Sequence, residues 1–296
     1  LPYLPGSAGV DLFGLGRQLI GMPLAGNRQT GKDFMDLGLT GKRALVLASS
    51  RGLGLGIAEA IAAEGADVLI TGRDGARLQA AVEAINARGA GTARFVVSDL
   101  TDKTTPALLE ETVKKEFGGL DILVNNTGGP PPGLMSEADL SVVHRQFEIM
   151  VMSVMDITAR FLPGMREQGW GRVLTVASSG VIQPIPNLGL SNALRSTLVG
   201  WSKSMANETA GDGVTFNMLL PGRIDTERLK ELDAANAKRS GKDVAEVAKA
   251  AQGQIPVGRY GKVEEFANTA AFIVSARASY VNGSMIRCDG GAIKSV

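Results

Sequence analysis

The chain has 296 residues, 44% of them hydrophobic and 21% charged, with a formal net charge of +1. That length allows one large domain or two small ones with a sizeable core, and the near-neutral charge excludes bulk attraction to nucleic acid or to a membrane surface. The single cysteine, Cys288, and single histidine, His144, exclude an internal disulfide and a cysteine-built metal cluster and leave little for a triad or a histidine-ligated metal, so no metal site is expected.

No apolar run approaches the ~20 residues that span a bilayer, and the lone cysteine fits a reducing, cytoplasmic setting. Residues 1–37 lack the basic start and apolar stretch of a secretory signal. They read as an N-terminal extension, native or added, ahead of a domain covering 38–296. From Lys42 the pattern alternates. Strands are predicted at Ala44–Ala48, Asp67–Thr71, Ala93–Val97, Ile122–Asn125, Arg172–Ala177, Val214–Leu219 and Ser284–Cys288. Helices are predicted at Gly56–Glu64, Ala76–Arg88, Thr105–Phe117, Val142–Met165 and Leu194–Ala210. The last but one of these carries His144, read as an ordinary helical residue. Residues 226–254, charged and alanine-rich, read as one or two surface helices, either a solvated flap or a lid over substrate. Apolar strands without alternation are buried on both faces. Strands separated by helices imply right-handed crossovers. The expected fold is therefore α/β, one doubly wound parallel sheet of Rossmann type.

The turn Ser49-Ser50-Arg51-Gly52-Leu53-Gly54 follows the first strand and opens a helix. In that context glycines let the backbone approach a pyrophosphate, and the helix N-terminus offers unpaired N–H groups to it. From Leu39 to Gly291 the chain resembles the short-chain dehydrogenase/reductases, most of all the 3-oxoacyl-acyl-carrier-protein-reductase-like branch. The last two glycines of the family's Thr-Gly-x-x-x-Gly-x-Gly match Gly52 and Gly54, while Leu47 and Ala48 replace its Thr and first Gly. By the same resemblance Asp99 and Leu100 meet the adenine. Asn125, Thr127 and Gly128 belong to the Asn-Asn-Ala-Gly motif, and Pro221, Gly222, Ile224 and Thr226 flank the nicotinamide. The terminal Asp289-Gly290-Gly291 also matches. The second strand ends Thr71-Gly72-Arg73, with no carboxylate for a ribose 2′-hydroxyl. Arg73 and Arg51 suit a 2′-phosphate, so NADP(H) is expected over NAD(H).

Relatives work with Asn, Ser, Tyr and Lys. Here Ser178 matches the Ser, but the other three positions fall on Met150, Ser191 and Arg195. A serine hydroxyl is far less acidic than a phenol of pKa about 10, and arginine differs from lysine in shape and stays protonated. Loss of a positioned acid costs about 10²- to 10⁴-fold in rate. Tyr260 and Tyr280 are the tyrosines of the matched region. The resemblance implies a divergent NADP(H)-dependent oxidoreductase acting on a small-molecule carbonyl or alcohol, with Ser178, Ser191 and Arg195 at its catalytic positions and Arg195 also near the cofactor. The alternative is a catalytically silent nucleotide-binding regulatory protein of the same fold. It also implies a homodimer or homotetramer through the helices matching 142–165 and 194–210.

Overall fold

The structure is a computed structural model that describes residues 35–295; the expected extension, up to residue 34, lies outside the described residues. Strands β1 (Arg43–Val46), β2 (Asp67–Gly72), β3 (Thr92–Val97), β4 (Ile122–Asn125), β5 (Gly171–Val176), β6 (Val214–Pro221) and β7 (Met285–Cys288) pair in the order β3-β2-β1-β4-β5-β6-β7. Every pairing is parallel. Helices α1 (Gly52–Ala63), α2 (Gly75–Asn86), α3 (Thr105–Phe117), α4 (Leu140–Phe147), α5 (Ser153–Glu167), α6 (Gly189–Thr209), α7 (Glu227–Ser240), α8 (Val244–Gly253) and α9 (Val263–Ile273) complete the layers.

Strand periodicity explains the two cores. Successive side chains of β1 point to opposite faces. Ala44 and Val46 join Ile57, Ile61 and Phe266 on one side, and Leu45 joins Ile157, Phe161 and Phe216 on the other. Both faces are covered, so the strands read as continuous apolar runs. Arg43 closes the lower end: its backbone N and Nε each donate to Asp121 Oδ2 at 2.8 Å, and its Nη2 to Oδ1 at 2.9 Å. That ties β1 to the entry of β4. Asp36 and Leu37, expected to end the extension, instead dock on this body. The Leu37 carbonyl accepts from Ala276 N at 3.0 Å and that of Asp36 from Arg277 Nε at 2.6 Å.

The structure corrects three helix boundaries. Helix α1 starts at Gly52 rather than Gly56, so its N-terminus is the glycine turn itself, and α6 starts at Gly189 rather than Leu194. The long helix expected at Val142–Met165 is broken: α4 gives way to a π-helical turn, Glu148–Met152, before α5. The wider i→i+5 turn accommodates one extra residue and buries both Met150 and Val151. Residues 226–254 do form two helices, α7 and α8. No helix among the described residues is long and apolar enough to cross a membrane.

The chain runs from β1 outward through β2 to β3, then crosses to β4 and continues the other way. The C-terminal ends of β1 and β4 therefore flank a topological switch point, the crevice where sheets of this type hold ligands.

Candidate active site

The turn after β1 is held from several sides. Ala48 adopts a left-handed φ of 47° and Gly52 a φ of 61°. Ala48 N donates to Thr71 Oγ1 at 3.0 Å. Asn126 Nδ2 donates to the carbonyls of Leu47 and Ala48 at 3.2 and 3.1 Å. A Cβ on Gly54 would lie 2.7 Å from the Ala48 carbonyl oxygen and 2.7 Å from Asn126 Nδ2, so only glycine fits there. Ser49 is fully buried: its hydroxyl donates to Val46 O at 2.6 Å and accepts from Thr71 N at 2.9 Å. Its side chain is thus used up inside the fold rather than offered to a ligand. Leu53 packs on the core beneath the turn. Ser50 and Arg51 remain at the surface, with Arg51 as the N-cap residue of α1.

A cluster of arginines stands beside this turn. Arg51 Nη1 is ion-paired with Glu227 on the first turn of α7. Arg77 of α2 lies 3.6 Å from the same carboxylate and 3.2 Å from Asp74. Hydrogen bonding from Arg51, then the charges of Arg51 and Arg77, hold the Glu227 carboxyl below its usual range. Arg73 is exposed at the end of β2. Asp99 is half-buried, and its Oδ1 accepts from Thr101 N at 3.0 Å. Leu100 packs on the core.

Across the crevice, Asn125 is not brought to the site as expected. It is 1% exposed and its Nδ2 donates to Thr158 Oγ1 at 3.0 Å, inside α5. Its neighbour Asn126 faces the turn instead, as consecutive strand residues must point oppositely. Thr127 and Gly128 follow, and a side chain at Gly128 would meet nothing within 4 Å. Pro221 and Gly222 end β6. Ile224 is 6% exposed and bridges to Gly261. Thr226 caps α7, accepting from Leu229 N at 3.3 Å, and its Cγ2 sits 3.9 Å from where a Cβ of Gly52 would be. The start of α7 therefore covers the glycine turn.

At the end of β5, Ser178 Oγ accepts from Gly180 N at 3.0 Å. That contact leaves its O–H free to donate. Ser191 and Arg195, one helical turn apart, share a face of α6. Arg195 is 9% exposed. Its Nη1 donates to Val176 O at 2.9 Å and its Nη2 to Thr127 O at 3.4 Å. It thus joins the ends of β5 and β4. Burial first, then the charge of Arg228, push its guanidinium down to about 10, so it is still charged at neutral pH. Met150 is 1% exposed and packs among Leu194, Leu198, Met218 and Leu220. The position expected for the relay residue is, in this structure, part of the core. Tyr260 donates to Asp233 Oδ2 at 2.8 Å, within the α7–α8 region, and burial followed by that carboxylate pushes it up to about 12. Tyr280 is fully exposed.

This geometry has many relatives. Residues 47–292 match a family model described as enoyl-(acyl carrier protein) reductase. The oxidoreductase YvrD of Bacillus subtilis is 32% identical over 266 residues, 88% of this chain and 100% of its own. The 3-oxoacyl-acyl-carrier-protein reductase FabG of Escherichia coli is 33% identical over 253 residues, 85% of this chain and 97% of its own. The chain belongs to the short-chain dehydrogenase/reductase family. Among solved structures, L-sorbose reductase from Gluconobacter frateurii, complexed with NADPH and L-sorbose, superposes with a TM-score of 0.83 at 32% identity, covering 88% of this chain and all of that one. YwfH, an NADPH-dependent reductase involved in bacilysin biosynthesis, superposes with a TM-score of 0.83 at 26% identity, covering 87% of this chain and all of its own.

Within this short-chain dehydrogenase/reductase frame, sequence reasoning missed Asn126, Arg77, Glu227 and Arg228. Asn126 had a signal, the doubled asparagine. The other three lie on helix starts whose place beside the turn only the tertiary fold reveals.

Proposed function

We propose that the chain is an NADP(H)-dependent oxidoreductase that interconverts a small-molecule carbonyl and alcohol, with Arg195 supplying charge where relatives use a Tyr–Lys pair. The observation that carries this reading is the glycine turn at the switch point, where Gly52 takes a positive φ and Gly128 faces open space. Both features suit a dinucleotide. The N–H groups opening α1 would hold its pyrophosphate. Arg51, Arg73 and Arg77 would hold a 2′-phosphate, and Asp99 would meet the adenine. The relatives crystallised with NADPH support this choice. When bound, the cofactor supplies or accepts hydride.

This chain's own residues do the rest. The Ser178 O–H donates to the substrate oxygen. Arg195, fixed by two backbone carbonyls, stabilises negative charge growing there, and it does so without reorganisation because it is already held in place. Ser191, on the same helical face, holds the water that delivers the proton. Helices α7 and α8 act as a lid. A cavity of about 540 Å³ on the outer face of α5 and α6, lined by Met155, Ala159, Leu162, Trp201 and Met205 among others, is where a second subunit would pack.

Nucleotide fluorescence should show NADPH binding more tightly than NADH, and a carbonyl panel should show NADPH consumption. No binding of either nucleotide at millimolar concentration would end this reading. The placement of Tyr260 and Tyr280 favours the second reading, a catalytically silent nucleotide-binding protein. Binding without turnover on any carbonyl would select it.

A further inference from the structure

Arg195 and Arg228 converge on one short loop from different helices. Arg195, on α6, donates to Thr127 O at 3.4 Å. Arg228, on α7, donates through Nη2 to Pro130 O at 2.9 Å, and that nitrogen lies 3.8 Å from where a Cβ of Gly129 would be. The loop between them is pinned at its far end, where Gly133 N donates to Asn187 O at 2.8 Å and Gly189 N to Gly133 O at 3.2 Å. Both guanidiniums are therefore held in place, and close enough for Arg228 to oppose the charge on Arg195.

The buried member of this pair, Arg195, lacks a counter-ion among the described residues. Arg195 is nine-tenths buried, and among the described residues it has backbone carbonyls as partners but no carboxylate within ion-pair distance. Among the described residues the carboxylate paired with Arg228 is Glu231 at 3.4 Å, an exposed neighbour on the same helix. A buried guanidinium bonded to carbonyls alone remains an uncompensated charge, and a second cation beside it raises the cost. The anionic parts of a dinucleotide are already provided for at the N-terminus of α1 and beside Arg51 and Arg77. An oxidised nicotinamide would bring another positive charge, not a counter-ion.

We propose that Arg195 and Arg228 form the anion-binding end of the substrate pocket, and that the substrate is an oxo acid or hydroxy acid whose carboxylate lies near the reacting carbon. This rests on the oxidoreductase reading for its assumption that the pocket takes substrate. Arg228 is the residue that selects for the carboxylate. Because it sits on the first turn of α7, an acidic substrate also draws the lid onto the loop.

The test is calorimetry on protein loaded with NADP⁺, where an oxo acid forms a dead-end complex and cannot turn over. The probes are 2-oxobutyrate, acetoacetate and levulinate, each against its methyl ester. At least one acid should bind about tenfold or more tightly than its ester, the worth of a charge-assisted contact. Arg228→Ala should bring that ratio close to one, and Arg228→Lys should recover part of it. Arg239→Ala, at the far end of α7, should leave it unchanged. A fold defect would weaken acid and ester alike, and the lysine variant would not rescue it. Acids that bind no better than esters, or a ratio indifferent to Arg228, would overturn the proposal. Loading is measured first. If NADP⁺ does not bind, the oxidoreductase reading fails on its own, and the same acid–ester comparison on the unloaded protein still decides whether the arginine pair is an anion site.

Discussion

Ala48 holds a left-handed φ of 47° that costs an L-residue about 1–2 kcal/mol. It is kept there by the bonds from its N–H to Thr71 and from Asn126 to its carbonyl. Glycine takes a positive φ without that strain, so Ala48→Gly should stabilise the protein by about 1 kcal/mol in urea unfolding, against the usual penalty for glycine. A loss of stability would show that the alanine methyl makes a contact worth more than the strain. At this scale the sequence located the turn but misjudged its side chains. Ser49 and Asn125 both look like ligand-facing polar residues. Both are turned inward, because which of two adjacent residues faces the crevice depends on the twist and end of the strand. Arg195 was legible as a substitution, whereas its burial between two strand ends was not.

At the scale of elements, α7 begins directly on the glycine turn, with Thr226 over Gly52 and Glu227 on Arg51 and Arg77. In the proposed reading a 2′-phosphate would use those same arginines. Glu227→Gln should therefore raise NADPH affinity about two- to fivefold, the worth of an exposed ion pair, with a smaller effect on NADH. Titrating both nucleotides into both proteins measures it. Equal gains for the two would place the effect outside the 2′ corner. The helix pair itself was readable from its charged, alanine-rich composition, but its contact with the turn was not. The π-helical turn at Glu148–Met152 escaped for a different reason. One inserted residue leaves the apolar periodicity on each side intact, so the segment reads as a single helix.

For the whole molecule, the alternation of apolar runs and amphipathic segments was enough to give a parallel sheet, and the motifs placed its switch point. Long-range ties were beyond it. The Arg43–Asp121 pair, 78 residues apart in sequence, is one. Burial works to raise the Asp121 carboxyl, but the hydrogen bonds and charge of Arg43 outweigh it and hold the group below its ordinary range. A carboxyl lowered by folding contributes stability that is complete above its unfolded value of about 3.9. That contribution fades as pH falls through the lowered folded value. Asp121→Asn should thus cost about 1.5–3 kcal/mol at neutral pH and flatten the acid limb of stability against pH. Parallel curves for the two proteins would contradict the linkage.

The account turns on Arg195, the charge that lies where β4, β5 and α6 meet and where the sequence resemblance expects lysine. The most direct measurement is NADPH oxidation over a carbonyl panel by the native protein, Arg195→Lys and Arg195→Met, with NADPH affinity followed in parallel. The account predicts turnover by the native protein and partial retention with lysine. With methionine it predicts a fall of about 10²- to 10³-fold in kcat, as for the loss of an oxyanion donor, while NADPH still binds. Native protein that binds NADPH yet consumes none, or undiminished turnover in Arg195→Met, would contradict it.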